Sequence, residues 1–434
     1  MKLFVNFLIL FIGLNLTAQT LSLQNQATTI NKILDERFET LLPNLMEKTG
    51  IEMWVLISRE YLEDPVLKTM LPATWLSARR RTILVFYKPK NQNQVEKFAV
   101  ARYDIENNFK SAWDVSKFPD QWDAVMELIK DKNPKNIGLN YSEHFALADG
   151  ITKTDYEAFT NKLPNNYKNR VVSAEKLAIG WIETRTPKEL ELYEMLAKTT
   201  HDIIKEAFSE KVIKPGKTTT DDVVWWLRQK VSDLGLQTWF HPDIDIQRAK
   251  TELASANQQT GLSIIQAGDL LHCDFGITYL RLNTDCQEHA YVLKPNETEI
   301  PTYLTRAFEA GNALQDILTQ NFIEGKSGNE ILLKSLVEAK NKRLNPSIYS
   351  HPLGYYGHSA GPTIGMWDAQ QGVPITGDYP LNYNTVYAIE LNNTVLIPEW
   401  QTEIRIMLEQ VAVFTEKGVH YIDGRQTKIH LIKS

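Results

Sequence analysis

The segment LLHCDFG, residues 270–276, reads as an apolar strand that carries one carboxylate, Asp274. A second acid, Asp285, follows eleven residues later within NTDC, residues 283–286. Burying a carboxylate in a strand is costly unless a cation or a hydrogen-bond donor compensates. Two such acids on neighbouring strands would also repel each other. The segment therefore predicts a metal site whose other ligands come from elsewhere in the chain.

Two histidines and two glutamates downstream are the candidates for those ligands. The stretch SHPLGYYGHSAGPTIGMWD, residues 350–368, contains His351 and His358. Glu390 lies within VYAIEL, residues 386–391, and Glu409 within RIMLEQVAV, residues 405–413. Both segments read as buried strands with the glutamate inside them. The order along the chain is thus Asp, Asp, His, Glu, Glu.

This order resembles that of the pita-bread metallopeptidases, which include methionine aminopeptidase, aminopeptidase P and prolidase. The two aspartates match in spacing, GHSAG at 357–361 is similar to the family's GHxxG motif, and both glutamates match. The resemblance covers residues 183–425 and implies an α+β chain. It predicts a C-terminal pita-bread catalytic domain over 183–434, preceded by a smaller creatinase-type α/β domain over 20–175.

The resemblance also implies a ligand set and its chemistry. The implied metal ligands are Asp274, Asp285, His358, Glu390 and Glu409. An oxygen-rich set with a single imidazole suits two divalent ions, with Mn2+ favoured and Co2+ or Zn2+ as alternatives. Asp285 and Glu409 would bridge the ions, and Glu390 would also carry the proton from water to the leaving nitrogen.

The chain departs from the family pattern near the histidines. Trp367 stands where the family has a second histidine, so that catalytic partner is either missing or supplied by His351. His351 and His358 are themselves spaced as HxxGxxxH, which leaves open that His351 is the ligand and His358 the substrate-side histidine. His241, before Pro242, is either a substrate-contacting catalytic histidine or a loop histidine.

A second departure concerns the last strand. Met407 replaces the arginine that usually lies two residues before the final glutamate, and Arg405 would share a strand face with Met407 by the period of two. Arg405 is therefore the candidate replacement.

The cysteines, Cys273 and Cys286, permit a geometric prediction. If Asp274 and Asp285 are directly opposite on antiparallel strands, the two cysteines are opposite as well and point away from the metal face. Either a cross-strand disulfide or two buried thiols would fit.

The N-terminal half reads as mixed α/β. Helical periodicity covers 30–48 and 122–129, and strands are predicted at 51–57, 82–87, 98–103 and from 136 onwards. A domain boundary is predicted over 173–187, where Thr186 and Pro187 are suited to begin a helix.

Residues 1–19 carry the features of an export signal. Lys2 precedes a short apolar stretch that ends at small and polar residues, which is too short to span a bilayer comfortably. An uncleaved anchor is the alternative. The mature protein is therefore expected to be periplasmic or secreted, without stable membrane insertion. The net charge of −6, with no basic tract, argues against nucleic acid as a partner.

Together these features predict a metallo-aminopeptidase that removes the residue before proline from the N-terminus of peptides. A prolidase restricted to Xaa-Pro dipeptides is the nearest alternative, and a non-enzymatic binding module on the same fold is the other. The resemblance further implies a homodimer.

Overall fold

The computed structural model describes residues 20–90, 92–250 and 263–433. The predicted export signal, residues 1–19, lies outside the described residues. Within the described part of the chain, no helix is long and apolar enough to cross a membrane.

The N-terminal domain is built on one six-stranded mixed sheet. Its strands are β1 (Met53–Arg59), β2 (Arg81–Tyr87), β3 (Glu96–Val100), β4 (Lys110–Ser111), β5 (Ile137–Leu139) and β6 (Val171–Ser173). Their order is β4-β3-β2-β1-β5-β6. Trp54 and Leu56 pack on one face of β1, and Met53 and Val55 on the other. Because both faces are covered, this strand appears in the sequence as a continuous apolar run.

Helices cover both faces of this sheet. They are α1 (Leu23–Glu36), α2 (Leu42–Thr49), α3 (Pro65–Met70), α4 (Gln121–Lys132), α5 (Lys153–Lys162), α6 (Asn165–Lys168) and α7 (Glu175–Glu183). A π-helical turn, Arg37–Leu41, joins α1 to α2. The predicted helices and the first two predicted strands are confirmed, whereas the third predicted strand is shifted towards the N-terminus. Helix α7 packs into the N-terminal core.

The C-terminal domain contributes four further described helices. They are α8 (Pro187–Ala207), α9 (Thr220–Asp233), α10 (Thr302–Gln320) and α11 (Gly328–Asn341). The prediction for the start of α8 is confirmed, because the Thr186 side chain accepts from the backbone N–H of Glu189 and the Glu189 carboxylate accepts in return from that of Thr186. This capping box satisfies two donors that a helix start leaves free.

The C-terminal strands form four small sheets. They are β7 (Asp243–Gln247), β8 (Leu270–Phe275), β9 (Thr278–Tyr279), β10 (Leu282–Asn283), β11 (Cys286–Val292), β12 (Pro346–Ile348), β13 (His351–Leu353), β14 (Thr385–Ala388), β15 (Leu391–Ile397), β16 (Thr402–Leu408), β17 (Val411–Thr415), β18 (Gly418–Tyr421) and β19 (His430–Ile432). The sheet orders are β19-β11-β8-β7, β10-β9, β12-β15-β16 and β13-β14-β17-β18. Helices α8 and α9 pack against the first of these sheets, and α10 and α11 pack against β12-β15-β16.

The hairpin of β8 and β11 corrects the predicted register. Asp274 is opposite Gln287 rather than Asp285, and Cys273 is opposite Glu288 rather than Cys286. The turn at β9 and β10 is centred one residue later than the prediction assumed, which moves every partner by two positions. A shift of two keeps each side chain on its face, so the acids still share one face. Both cysteines are buried and free.

A second antiparallel ribbon corrects the positions of the glutamates. Both were expected inside strands, but Glu390 lies between β14 and β15, and Glu409 lies between β16 and β17. The two flanking pairs, β14 with β17 and β15 with β16, belong to different sheets. The register continues from Ala388 opposite Val411 to Leu391 opposite Leu408. Glu390 and Glu409 therefore lie opposite each other where the ribbon passes from one sheet to the next.

Candidate metal centre

The β8–β11 hairpin and the β14–β17 ribbon bring four carboxylates together. Asp274, Asp285 and Glu409 each offer an oxygen within 4.8 Å of the others. Glu409 also groups with Glu390 and His351 at the same spacing. Backbone hydrogen bonds between Gln287 and Glu409 join the hairpin to the ribbon. The sequence prediction that these four acids converge is thus matched by their positions.

His351, at the start of β13, points its Nε2 into this group. Nε2 lies 3.6 Å from an oxygen of Glu409, 3.8 Å from Glu390 and 4.0 Å from Asp285. The other ring nitrogen, Nδ1, lies 3.1 Å from the Pro352 carbonyl oxygen. A hydrogen bond from Nδ1–H to that carbonyl leaves the Nε2 lone pair free, which is the form that binds metal.

His358 lies on the solvent side of His351. The two rings are perpendicular with centroids 4.6 Å apart, and Trp239 contacts the outer ring at 5.2 Å. Gly357 makes this contact possible, since a Cβ there would come within 2.4 Å of the Trp239 ring. His358 also groups with His351 and Asp285 within 4.8 Å. Because His351 Nε2 faces three carboxylates, the geometry favours His351 over His358 as the metal ligand. The sequence had favoured His358.

Burial and mutual repulsion dominate the electrostatics of the acids. Burial raises the pKa of Asp274 to about 6. Burial, followed by the charge of Asp274, raises the pKa of Glu390 to about 8. Burial and then the charges of the neighbouring acids also raise the pKa values of Asp285 and Glu409, with Asp274 the leading neighbour for Asp285 and Asp285 the leading neighbour for Glu409. Folding has therefore placed the four acids where protein groups alone do not compensate their charge.

The histidine is correspondingly held neutral. Burial, together with the neighbouring His358, lowers the pKa of His351 to about 4. A neutral imidazole is the form required of a metal ligand.

Unpartnered atoms test whether divalent cations fit this arrangement. Among the described residues, Asp274 Oδ1, Asp285 Oδ1, Glu409 Oε1 and His351 Nε2 are buried without a hydrogen-bond partner. Buried polar atoms are normally satisfied, so four orphans in one cluster require an explanation. Carboxylate oxygens with one imidazole form a donor set that divalent ions prefer. The residues present therefore fit a site for divalent metal ions.

A cavity of about 780 Å³ opens over this cluster. It is lined by Asp274, Ser347, Tyr349, His351, His358, Ser359, Thr363, Gly365, Met366, Trp367, Glu390, Asn392 and Arg405. Trp367, exposed over 75% of its surface, and Met366 give it an apolar wall. Arg405 places a cation on the cavity surface, while Met407 is buried. This volume is typical of pockets for small ligands.

The remaining candidate, His241, lies outside the cavity lining. Within the described contacts, His241 is hydrogen-bonded to Arg228 at 3.1 Å and touches the ring of Trp225. Its role stays a prediction. Two tyrosines between His351 and His358 also lie outside the lining: Tyr355 packs against buried arginines, and the Tyr356 hydroxyl donates to the carbonyl of Pro65.

Sequence analysis missed Gln287. Its side chain is only 3% exposed, and its Nε2 donates to both Glu390 and Glu409, at 2.6 and 2.9 Å. The available signal was a glutamine in a strand that is otherwise buried, two residues after Asp285.

Family comparison gives the class of the protein. The model of metallopeptidase family M24 matches residues 191–420, which is more than half of the 434 residues. The chain belongs to this family. The match contains all four clustered acids and both histidines. A search of curated protein sequences gives no significant match.

Solved structures extend the fold comparison over the N-terminal domain. The X-Pro aminopeptidase from Thermotoga maritima has a TM-score of 0.60 at 14% identity, over 89% of this chain and 99% of that one. The Xaa-Pro dipeptidase from Bacillus anthracis has a TM-score of 0.54 at 15% identity, over 94% and 100%. The prolidase from Pyrococcus horikoshii OT3 has a TM-score of 0.52 at 14% identity, over 92% and 99%. These likenesses confirm the predicted pita-bread fold with a smaller N-terminal domain.

Proposed function

We propose that this metallopeptidase is a dinuclear Xaa-Pro aminopeptidase, which hydrolyses the bond before proline at the N-terminus of peptides. The observation that carries the proposal is the cluster of four carboxylates and His351, with four buried ligand atoms that have no partner among the described residues. Manganese is the proposed metal, with cobalt or zinc as alternatives.

The proposed ligands are Asp274, Asp285, His351, Glu390 and Glu409. The family resemblance implies that Asp285 and Glu409 would be the ligands shared between the ions, and each of them occurs in two of the overlapping ligand groups, as His351 does. When bound, two divalent ions would polarise the scissile carbonyl and acidify water. His351 replaces His358 in this assignment because its Nε2 faces the carboxylates.

The protein's own groups then position the substrate and move the proton. Glu390 borders the cavity beside the proposed metal site, where its carboxylate is placed to accept a proton from water and pass it to the leaving nitrogen. His358, exposed at the cavity wall, is the proposed donor to the substrate. Met366 and Trp367 offer apolar surface that would exclude water around a proline ring.

A prolidase restricted to Xaa-Pro dipeptides is the second candidate. Arg405 favours it, because a guanidinium on the cavity surface could pair with the carboxylate of a dipeptide. A binding module without catalysis is the third, and the intact set of acids argues against it.

The deciding experiment measures metal per chain together with hydrolysis of Xaa-Pro dipeptides, longer Xaa-Pro peptides and matched Xaa-Ala peptides. Asp285→Ala serves as the control that removes a shared ligand. We expect about two ions per chain, cleavage of the longer Xaa-Pro peptides, and loss of both metal and activity in the variant.

Each other outcome selects an alternative. Cleavage of dipeptides only would establish the prolidase. A fully metallated protein that cleaves none of the peptides would overturn the enzymatic proposal and support the binding module. Equal cleavage of Xaa-Ala peptides would overturn the specificity for proline.

Export and dimerisation complete the proposal. The features of residues 1–19 support cleavage of a signal, which N-terminal sequencing of the mature protein would test. Light scattering would test the homodimer implied by the resemblance.

A further inference from the structure

Gln287 is a buried amide that contacts two of the proposed metal ligands at once. Its Nε2 donates to Glu390 Oε1 at 2.6 Å and to Glu409 Oε2 at 2.9 Å. Its Oε1 lies 2.9 Å from His272 Nε2. Both amide N–H groups and the carbonyl oxygen are therefore used, in a residue with 3% exposure.

These two hydrogen bonds select which glutamate oxygens face the metal site. The oxygens that Gln287 does not hold, Glu390 Oε2 and Glu409 Oε1, are the ones that approach His351 Nε2, at 3.8 and 3.6 Å. Each glutamate is thus bound by one oxygen to the protein and presents the other to the ligand cluster. Without the amide, both side chains could rotate about their terminal bonds.

A neutral donor suits this position better than a charged one. An arginine or lysine between the glutamates would neutralise charge that the site needs for cations, and a carboxylate would add repulsion. The amide supplies two donors without a net charge, so it orders the ligands and leaves their negative charge available.

The orientation of the amide is itself fixed. Because two carboxylates lie on one side, the NH2 group faces them and Oε1 faces His272, which must donate from Nε2. His272 is 4% exposed, and its Nδ1 lies 3.4 Å from Asp245 Oδ2 on β7. His272 and Gln287 thus form a hydrogen-bonded link across β8 and β11 to the glutamates, and Asp245 on β7 lies beside the outer nitrogen of His272.

We propose that Gln287 is a positioning residue that orients Glu390 and Glu409 for metal binding, and that His272 locks its amide in place. The inference rests on the proposed dinuclear site. Outer residues that orient metal ligands affect affinity by roughly 10- to 100-fold when they are removed.

The test compares Gln287→Met with the wild type. Methionine keeps the length and apolar volume but removes both donors. Calorimetric titration of the metal-free proteins with Mn2+ measures the number of ions and their affinity, and urea unfolding measures stability. We expect about 10- to 100-fold weaker binding of at least one ion in the variant, with two ions still bound at saturation.

Gln410→Met is the matched control. Gln410 is fully buried beside Glu409, but its Oε1 contacts His201 at 2.8 Å instead of a site carboxylate. We expect this variant to lose stability and to keep Mn2+ affinity within a few-fold. A purely structural role for Gln287 would make the two variants behave alike.

His272 is tested by a pair of variants. His272→Gln places an amide nitrogen near the position of Nε2 and should keep the affinity close to that of the wild type, whereas His272→Phe should weaken it in the same direction as Gln287→Met. Equal Mn2+ affinity in the wild type, Gln287→Met and His272→Phe would overturn the inference. A wild type that binds no metal would instead overturn the proposed function.

Discussion

Two regions of the molecule bury acids in opposite ways. At the domain junction, Glu189 is fully buried between two arginines, 2.7 Å from Arg37 and 3.2 Å from Arg185. Burial raises its pKa, but Arg185 and Arg37 outweigh that effect and the net pKa is lowered. In the metal centre four acids have raised pKa values and no arginine or lysine ion pair among the described residues.

The difference separates structural acids from functional ones. A carboxylate that stabilises the fold is paired by the chain itself, as Glu189 is. A cluster that lacks such partners depends on cations from outside the chain. Burial of acids is therefore informative only together with the charges around them.

The largest expected effect comes from removing the proposed proton carrier. Glu390→Gln should lower kcat by about 10²- to 10⁴-fold at saturating Mn2+, because the amide cannot accept a proton at this position. Steady-state kinetics on an Xaa-Pro peptide measures the loss. Glu403→Gln, at an exposed glutamate on the neighbouring strand β16, should leave kcat unchanged. Activity of Glu390→Gln within a few-fold of the wild type would exclude the role.

The arginine-paired acid should matter for stability. Glu189→Leu leaves Arg37 and Arg185 buried without their carboxylate and should lower the free energy of unfolding by about 3–5 kcal/mol. Urea denaturation measures the change.

Asp155→Leu is the matched comparison. Asp155 is equally buried, but its partners Arg59 and Arg81 have side chains that are 38% and 32% exposed and can turn to solvent. We expect Asp155→Leu to lower the free energy of unfolding by less than Glu189→Leu does. Equal decreases in the free energy of unfolding for the two variants would show that the solvent exposure of the arginine partners does not matter.

Replacing an acid of the metal centre should stabilise the metal-free protein, whereas replacing Glu189 should destabilise it. In chelated protein at pH 8, Asp285→Asn should raise the free energy of unfolding by about 1–2 kcal/mol, because the unfolded chain ionises this acid freely whereas burial and the neighbouring acids oppose its ionisation in the native state. With Mn2+ present the same variant should be less stable than the wild type, since it loses a ligand. Thermal unfolding with and without chelator checks both signs. Destabilisation in both states would contradict the repulsion.

Glu183 supplies the most specific test, because its effect appears only as a change with pH. It is buried with one hydrogen bond, from Asn382, and burial raises its pKa to about 8. The native state therefore keeps a proton that the unfolded chain releases above its ordinary pKa of 4.5. Its contribution to stability is greatest below 4.5 and falls as pH rises to about 8, by up to about 1.4 kcal/mol per pH unit.

Glu183→Gln removes this titration. Urea unfolding between pH 5 and 8 should give a flatter pH dependence in the variant than in the wild type. Parallel curves would mean that Glu183 is ionised in the native state.

The sequence predicted what depends on residue type and local pattern. The acids, the histidine pair and the helix start at Thr186 and Pro187 were all readable from local signals. The hairpin register was predicted two positions off, because a turn of unknown length sets it while periodicity fixes only the face.

Tertiary geometry decided the rest. The choice between His351 and His358 depends on which ring points inward, and both fit the same spacing. The glutamates were expected inside strands, because a ribbon that changes sheets keeps an apolar pattern through the change. The only sequence signal for Gln287 was a polar residue within a buried strand.

The pairing of Glu390 with Glu409 has a consequence for assembly. The hairpin carries two acids, and the ribbon carries the other two, so neither piece holds a complete ligand set during synthesis. High-affinity metal capture must wait until hairpin, ribbon and β13 have docked. The bound ions would then join two separate sheets, and metal loading would report that the domain has finished folding.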